Sequence, residues 1–352
     1  MLLITIINTF AKKNRLKYMN KRVLWMMTLL LCGKMLYAQS VGMEYITELQ
    51  TDFKGESNFV NYLRLNGELP LSERVKLRAS TISAAKSNEA YIANDIQGAS
   101  NIEIDNLSLA LFVACVEWDI DAHNNVLFGV HNMNEDFFAS DVTGLFTNSS
   151  CGIYPTISLN FSIANYPVAS VGVRYRHDDE RFGFVSALYN GVGYNKFTGR
   201  ENVFRVCPES DGVFTLAQGE YKHDDSHYFL GGGLHYGDPS QTNERKARTT
   251  VWTYAEQKVT NSFTLLGGYS HAFCSDSYCH DFAGLGGRLT IKNAEFGLFS
   301  DYAHFEDIDE WATELTCKIH LSEHVYVQPT AHFISQDTKS SVVGILRLGV
   351  EL

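Results

Sequence analysis

Three runs near the C-terminus decide the fold: EWATELTCKIHL (310–321), HVYVQPTAHFI (324–334) and SVVGILRLGVEL (341–352). In the first, Trp311, Thr313, Leu315, Cys317, Ile319 and Leu321 share one parity, against Ala312, Glu314, Thr316, Lys318 and His320. In the second, Val325, Val327, Ala331 and Phe333 stand against His324, Tyr326, Gln328, Thr330 and His332. The third sets Val342, Leu346, Leu348, Val350 and Leu352 against Arg347 and Glu351. Side chains alternate faces along a strand, so each run predicts a strand with one apolar and one polar face. The turns SE and SQDTKSS join the three into an antiparallel meander.

Working outward, the whole chain has 352 residues, 45% apolar and 12% aromatic, a composition that packs rather than stays disordered. Residues 1–38 carry seven Lys and Arg and no acid. From Met19 the text reads MNKRVLWMMTLLLCGKMLYA: a basic start, an apolar core at Val23–Cys32, and a small residue at the cleavage position, Ala38. That order predicts a secretory signal peptide over 1–38, too short to span a bilayer, with Met19 as a second candidate start. Removing it takes the basic count from 29 to 22 against 40 acidic residues, a formal net charge of −18. Such a chain repels nucleic acid, and no basic stripe breaks the pattern. Beyond residue 38 no run of eighteen apolar residues occurs, so the sequence predicts no transmembrane helix. An exported chain of alternating strands is either a soluble β protein or a barrel in a bacterial outer membrane.

Sixteen alternating runs follow: 41–53, 59–69, 75–84, 107–118, 125–133, 168–176, 182–190 and 213–221, then 228–237, 249–257, 263–273, 281–291, 296–304, 311–320, 325–335 and 342–352. Most have the 9–11 residues that a tilted strand needs to cross a bilayer. The even-numbered connections are all short: PLSER, DIDAHN, HDDER, KHDDSH, KVTNS, KNAE and LSEH. The long ones, 85–106, 134–167, 191–212 and 238–248, are all odd. In a closed antiparallel barrel, odd and even connections lie at opposite ends. The sequence therefore predicts an all-β transmembrane barrel over 39–352, with short periplasmic turns and longer extracellular loops. Two runs, 213–221 and 296–304, mix parities, and Pro329 interrupts another, where its missing N–H removes a ladder bond.

Charges keep to one parity in the clearer runs. Arg64 and Glu68 oppose Phe59, Leu63, Leu65 and Leu69, and Lys76 and Arg78 oppose Val75, Leu77 and Ala79. Arg174 and Arg176 oppose Val171, Val173 and Tyr175, and Arg288 opposes Leu285, Leu289 and Ile291. A charged face is costly against lipid and natural around a water-filled lumen. In a soluble protein the same face would lie against solvent, and alternation alone does not separate the two cases.

The stretch 94–200 resembles the carbohydrate-selective outer-membrane porins, the OprB family. The resemblance rests on NDIQGASNIE (94–103), VLFGVHNMNEDFFAS (126–140), GLFTNSS (144–150), YPVASVGVRY (166–175) and FVSALYNG (184–191). The C-terminal VQPTAHFIS and VVGILRLGVEL are also similar to the way that family ends. The resemblance implies a sixteen-stranded barrel whose lumen favours sugars. The family's GK-x-D-x-N element falls on Gly129, Val130, Asn132 and Asn134, without its Lys and Asp. Leu352 stands where such barrels usually end in an aromatic residue.

A sugar pore needs hydrogen-bonding groups and stacking surfaces in its lumen. The candidates are Arg64, Arg78, Arg174, Arg176, Arg288 and Arg347, with Glu68 and Glu314 as acidic partners. Inward arginines would make the local field positive, with the chain's acids largely in loops. The 134–167 loop is the longest, and loops of that length are usually functional. Folded inward, it would narrow the channel, with Asp136, Phe137, Phe138 and Asp141 as lining residues; otherwise it is a surface loop. The acid–His clusters HDDE (177–180), HDDSH (223–227) and HFEDIDE (304–310) lack the spacing of known metal motifs and read as solvated turns. Cys274 and Cys279 flank SDSY in a short loop, where export permits a disulfide. No nucleophile elbow, zinc-protease or phosphate-loop motif is present, so the sequence predicts neither an enzyme nor a cofactor. The expected partners are membrane lipid and small sugars. The alternatives are a general diffusion pore and a non-conducting structural or adhesive barrel.

Overall fold

The structure, a computed structural model, describes residues 40–93, 95–238, 245–337 and 339–352. The expected signal peptide over 1–38 lies outside the described residues. The first eight strands are β1 (Ser40–Thr51), β2 (Ser57–Pro70), β3 (Val75–Lys86), β4 (Leu107–Asp119), β5 (Asn124–His131), β6 (Ser170–Asp178), β7 (Phe182–Asn190) and β8 (Val213–His223). The second eight are β9 (Ser226–Gly237), β10 (Lys246–Lys258), β11 (Phe263–Ala272), β12 (Cys279–Ile291), β13 (Ala294–Phe305), β14 (Asp309–His320), β15 (Val325–Gln336) and β16 (Lys339–Glu351). Each pairs antiparallel with its neighbours in sequence, and β1 pairs with β16 from Glu44↔Glu351 to Thr51↔Gly344. One closed barrel of sixteen strands results, with no free edge.

Each expected run is a strand, with its ends displaced by three residues or fewer. The even connections are two to four residues long and gather at one end, while the 87–106, 132–169 and 191–212 loops leave the other. Aspartates shape several of the tight turns. Asp179 accepts the N–H groups of Arg181 and Phe182, each at 2.8 Å, and Asp121 accepts those of His123 and Asn124, each at 2.9 Å. The donors hold Asp179 down at about 2. Two of the acid–His clusters, HDDE and HDDSH, thus lie at tight turns between paired strands. Pro329 has the effect its chemistry requires. Pairing of β15 with β14 lapses between Thr316↔Thr330 and Ile319↔Val327, while β15 stays paired with β16 through Pro329↔Leu346.

The apolar parity faces outward. Leu230, Leu265, Leu285, Leu298, Leu315, Phe333 and Leu346 stay exposed on the outer wall, while Glu48, Arg174, Glu314, His332 and Arg347 are buried inside. A soluble protein would place these the other way round. From β7 to β13, however, the inner wall is apolar as well. Val185, Phe214, Leu216, Phe229, Trp252, Tyr254, Leu266, Phe282 and Phe299 form a single cluster with residues of the 132–169 loop. That covered inner wall explains why 213–221 and 296–304 read as mixed: both of their faces are apolar for different reasons. Gly297 on β13 marks the closeness of the packing, because a Cβ there would stand 2.8 Å from Phe146 and 2.9 Å from Leu145.

Candidate functional site

The lumen has two unlike sides, and their difference locates the site. The β7–β13 side is occupied by the 132–169 loop, whose Phe137, Phe138, Phe146, Tyr154, Ile157 and Phe161 are buried against the wall. Phe138 packs its ring 5.0 Å from Trp252 and 5.8 Å from Tyr254. Burying side chains of this size is worth about 1.5–3 kcal/mol each, which fixes the loop inside the barrel. The loop lies inside the barrel, with the rings of Phe137 and Phe138 buried in the cluster it forms with the wall. Their rings are anchors, since an apolar inner wall offers them a better surface than water does.

The β2–β6 side carries charge. Arg64 reaches Glu135 of the loop at 2.8 Å, and Arg78 reaches Glu68 and Glu117 at 3.3 Å each and Glu135 at 3.6 Å. Arg174 lies 3.3 Å from Asp136 and 3.6 Å from Glu117 and donates to Asn125, while Arg176 lies 2.6 Å from Asp136. Lys76 adds a contact with Glu117 at 3.6 Å. Five basic side chains thus meet four acids, and Glu44, the cross-strand partner of Arg64, supplies a fifth. Most of these acids are on strands, so the expected positive field is offset where the arginines sit. Exposure divides the group. The side chain of Arg174 is only 2% exposed, whereas that of Arg176 is 43% exposed and open to a solute.

The remaining candidates hold the loops to the wall instead of facing a solute. Glu314 accepts the backbone N–H groups of Thr147 and Asn148, each at 2.9 Å, and Thr147 also contacts His332 at 2.9 Å. Arg347 pairs with Glu48 at 2.6 Å and donates to Asn101 at 2.7 Å, fixing the 87–106 loop. Arg288 donates to the Asp141 carbonyl at 3.1 Å and pairs with Glu295 at 3.4 Å. Asp141 itself is exposed. The two loops also bond to each other, through Asn101 N–H to the Thr147 carbonyl at 2.7 Å and Ser149 N–H to that of Gly98 at 2.9 Å.

Sequence reasoning missed Glu135, Glu117 and Asn125 as partners of the arginines. As loop clamps it missed Glu48, Glu256, which accepts the Val142 N–H at 3.0 Å, and Glu310, which accepts those of Ile96 and Gln97. For Glu117, Glu48, Glu256 and Glu310 the signal was an acid on the inward parity of a strand, whereas Asn125 carries no charge and Glu135 reaches the arginines only from the inward loop. The disulfide expected between Cys274 and Cys279 is not formed. Cys279 points into the buried cluster and donates its thiol to the Asp281 carbonyl, while Cys274 stays at the tip, facing that of Ala247. The strand's alternation turns Cys279 inward and away from its intended partner.

No protein-family model matches the chain, and no curated protein matches it. Solved structures do. A high-pH structure of Pseudomonas putida OprB superposes with a TM-score of 0.75 at 13% identity, covering 93% of this chain and 97% of that one. A low-pH structure of the same protein gives 0.60 at 12% identity over 93% and 96%. An anion-selective porin from Comamonas acidovorans gives 0.59 at 11% identity over 89% and 99%. The fold is that of the outer-membrane porins, and OprB, the resemblance read in the sequence, is among the structural neighbours.

Proposed function

We propose that this chain is an outer-membrane porin that passes carbohydrates or similar small polar solutes passively. The observation that carries this reading is the closed barrel with an apolar outer wall, and a lumen whose charged side faces an inward loop. Solutes would move along the β2–β6 ladder, where Arg176, Arg78 and Glu68 keep partial exposure. Alternating guanidinium and carboxylate groups can donate to and accept from successive sugar hydroxyls while the site stays near electrical balance. Such contacts suit weak binding, near millimolar or about −4 kcal/mol, because the solute must also leave. We further propose that 1–38 is removed on export and that the mature chain begins at Gln39.

A general diffusion pore is the second reading, favoured by the near balance of charge along the ladder. Liposome swelling separates the two. Purified protein in liposomes should admit mono- and disaccharides faster than neutral polyols of equal size. Equal rates at matched size support general diffusion, and no swelling with any solute sinks both readings.

A further inference from the structure

At the mouth of the barrel, the 87–106 loop meets a wall of acids that have no basic partner. Glu310 on β14 accepts the backbone N–H groups of Ile96 and Gln97 at 2.8 and 3.0 Å, and the Gln336 amide at 2.5 Å. Asp95, one residue before this clamped pair, is partly buried, with Glu310 near it and the Ala99 N–H on its carboxyl as the main opposing contact. Asp301 on β13 takes the Asn148 amide at 2.9 Å on one oxygen, while its other oxygen and both amide atoms of Gln97 are buried without a hydrogen bond. Glu314 is occupied by Thr147 and Asn148. None of these four carboxylates forms an ion pair among the described residues. The other titratable groups around them are Glu103 on the same loop, with Lys86 near it, then Cys151, His332 and the mutually paired Arg347 and Glu48. Nor do three His, Cys, Asp or Glu side chains converge to hold a metal ion among the described residues.

Charge balance at this contact therefore falls to protons. Both oxygens of Glu310 are taken by backbone N–H groups, and no basic side chain is paired with it among the described residues. A second carboxylate packed beside it, with no cation in reach, is favoured as the neutral acid. We propose that docking of the 95–101 segment onto β14 is proton-linked: Asp95 docks as a neutral carboxylic acid beside Glu310, and losing that proton loosens the segment from the wall. Desolvation first, and the charge of Glu310 second, push the Asp95 carboxyl up to about 7. The docked form then holds a proton that the released form gives up. Docking is strongest in acid, weakens as the pH climbs from the ordinary aspartate range to about 7, and levels off above that. Partial exposure of Asp95 leaves it in exchange with water in the lumen. If the barrel conducts, as proposed above, release of this segment widens its mouth; the linkage itself does not rest on that reading.

The test follows amide hydrogen exchange of the full-length protein in lipid nanodiscs from pH 5.5 to 8.5, expressed as protection factors. Protection at Ile96 and Gln97 should fall by up to tenfold per pH unit between 5.5 and about 7, the slope for one linked proton, and level off above 7, while strand amides hold constant. In Asp95→Asn the fall should vanish. In Glu310→Gln, which keeps an accepting oxygen and removes the charge, the pH at which the fall levels off should move lower. Flat wild-type protection, or an unchanged fall in either variant, overturns the proposal. Bilayer currents at pH 6 and 8.5 separate it from the pore reading. Protection that falls without any current refutes the pore and leaves the linkage standing, whereas pH-independent current with flat protection does the reverse.

Discussion

Arg174 and Arg176 are two residues apart on one strand and share its inward face, yet their surroundings assign them different work. Arg174 is enclosed by Asp136, Glu117 and Asn125. Replacing it with Ala takes a buried guanidinium from two largely buried carboxylates that keep Arg176, and Arg78 with Lys76, as partners. The loss is above that of an exposed pair but below that of a buried charge left alone, about 3–5 kcal/mol. Heat-modifiable gel migration should show Arg174→Ala unfolding at a clearly lower temperature. Arg176→Ala removes a half-exposed pair worth about 0–1 kcal/mol, so it should unfold like wild type while sugar block of ion current weakens. Equal melting of the two variants would refute this division. Glu135 bridges Arg64 and Arg78 from the loop side, so Glu135→Gln should shift the reversal potential toward anion selectivity. The inward arginines were legible from parity alone. Among their acidic partners Glu68 was legible in the same way, whereas Glu135 and Asp136 were not legible as partners, because they reach the arginines only after a loop has turned into the lumen.

Among the elements, the loop 132–169 is the least legible from sequence and the most consequential. Its length suggested a functional loop, but its apolar residues read as lining until the inner wall of β7–β13 proved apolar too. An alternating pattern reports one wet face and one apolar face. It falls silent where both faces are covered, as at Phe214 and Leu216 on β8 and at Phe299 and Ala303 on β13. The strands themselves were legible because β14, β15, β16 and β1–β3 keep polar or charged residues on the inward parity. Two substitutions test the loop's seat. Phe138→Ala forfeits about 3–5 kcal/mol of packing, and Gly297→Leu drives a side chain into Phe146 and Leu145. Both should leave the barrel closed and heat-modifiable while raising single-channel conductance. Unchanged conductance in both would mean that the loop does not restrict the passage.

The molecule as a whole is an inverted protein: its apolar surface is outside, and its charges and loops are inside. Closure of β1 on β16 satisfies the ladder without a free edge, and the outward leucines and aromatics supply a surface that only lipid suits. Loop placement gave the orientation, since the long loops all leave one end. What passes through was less legible, because selectivity depends on which charges stay open after the loops dock. The central claim is that a passage remains between the 132–169 loop and the β2–β6 ladder. Single-channel recording in a planar bilayer tests it most directly. The purified protein should give stable, stepwise currents that added sugar reduces with a midpoint near the millimolar range. A bilayer that stays silent although the protein is folded and inserted would contradict the account.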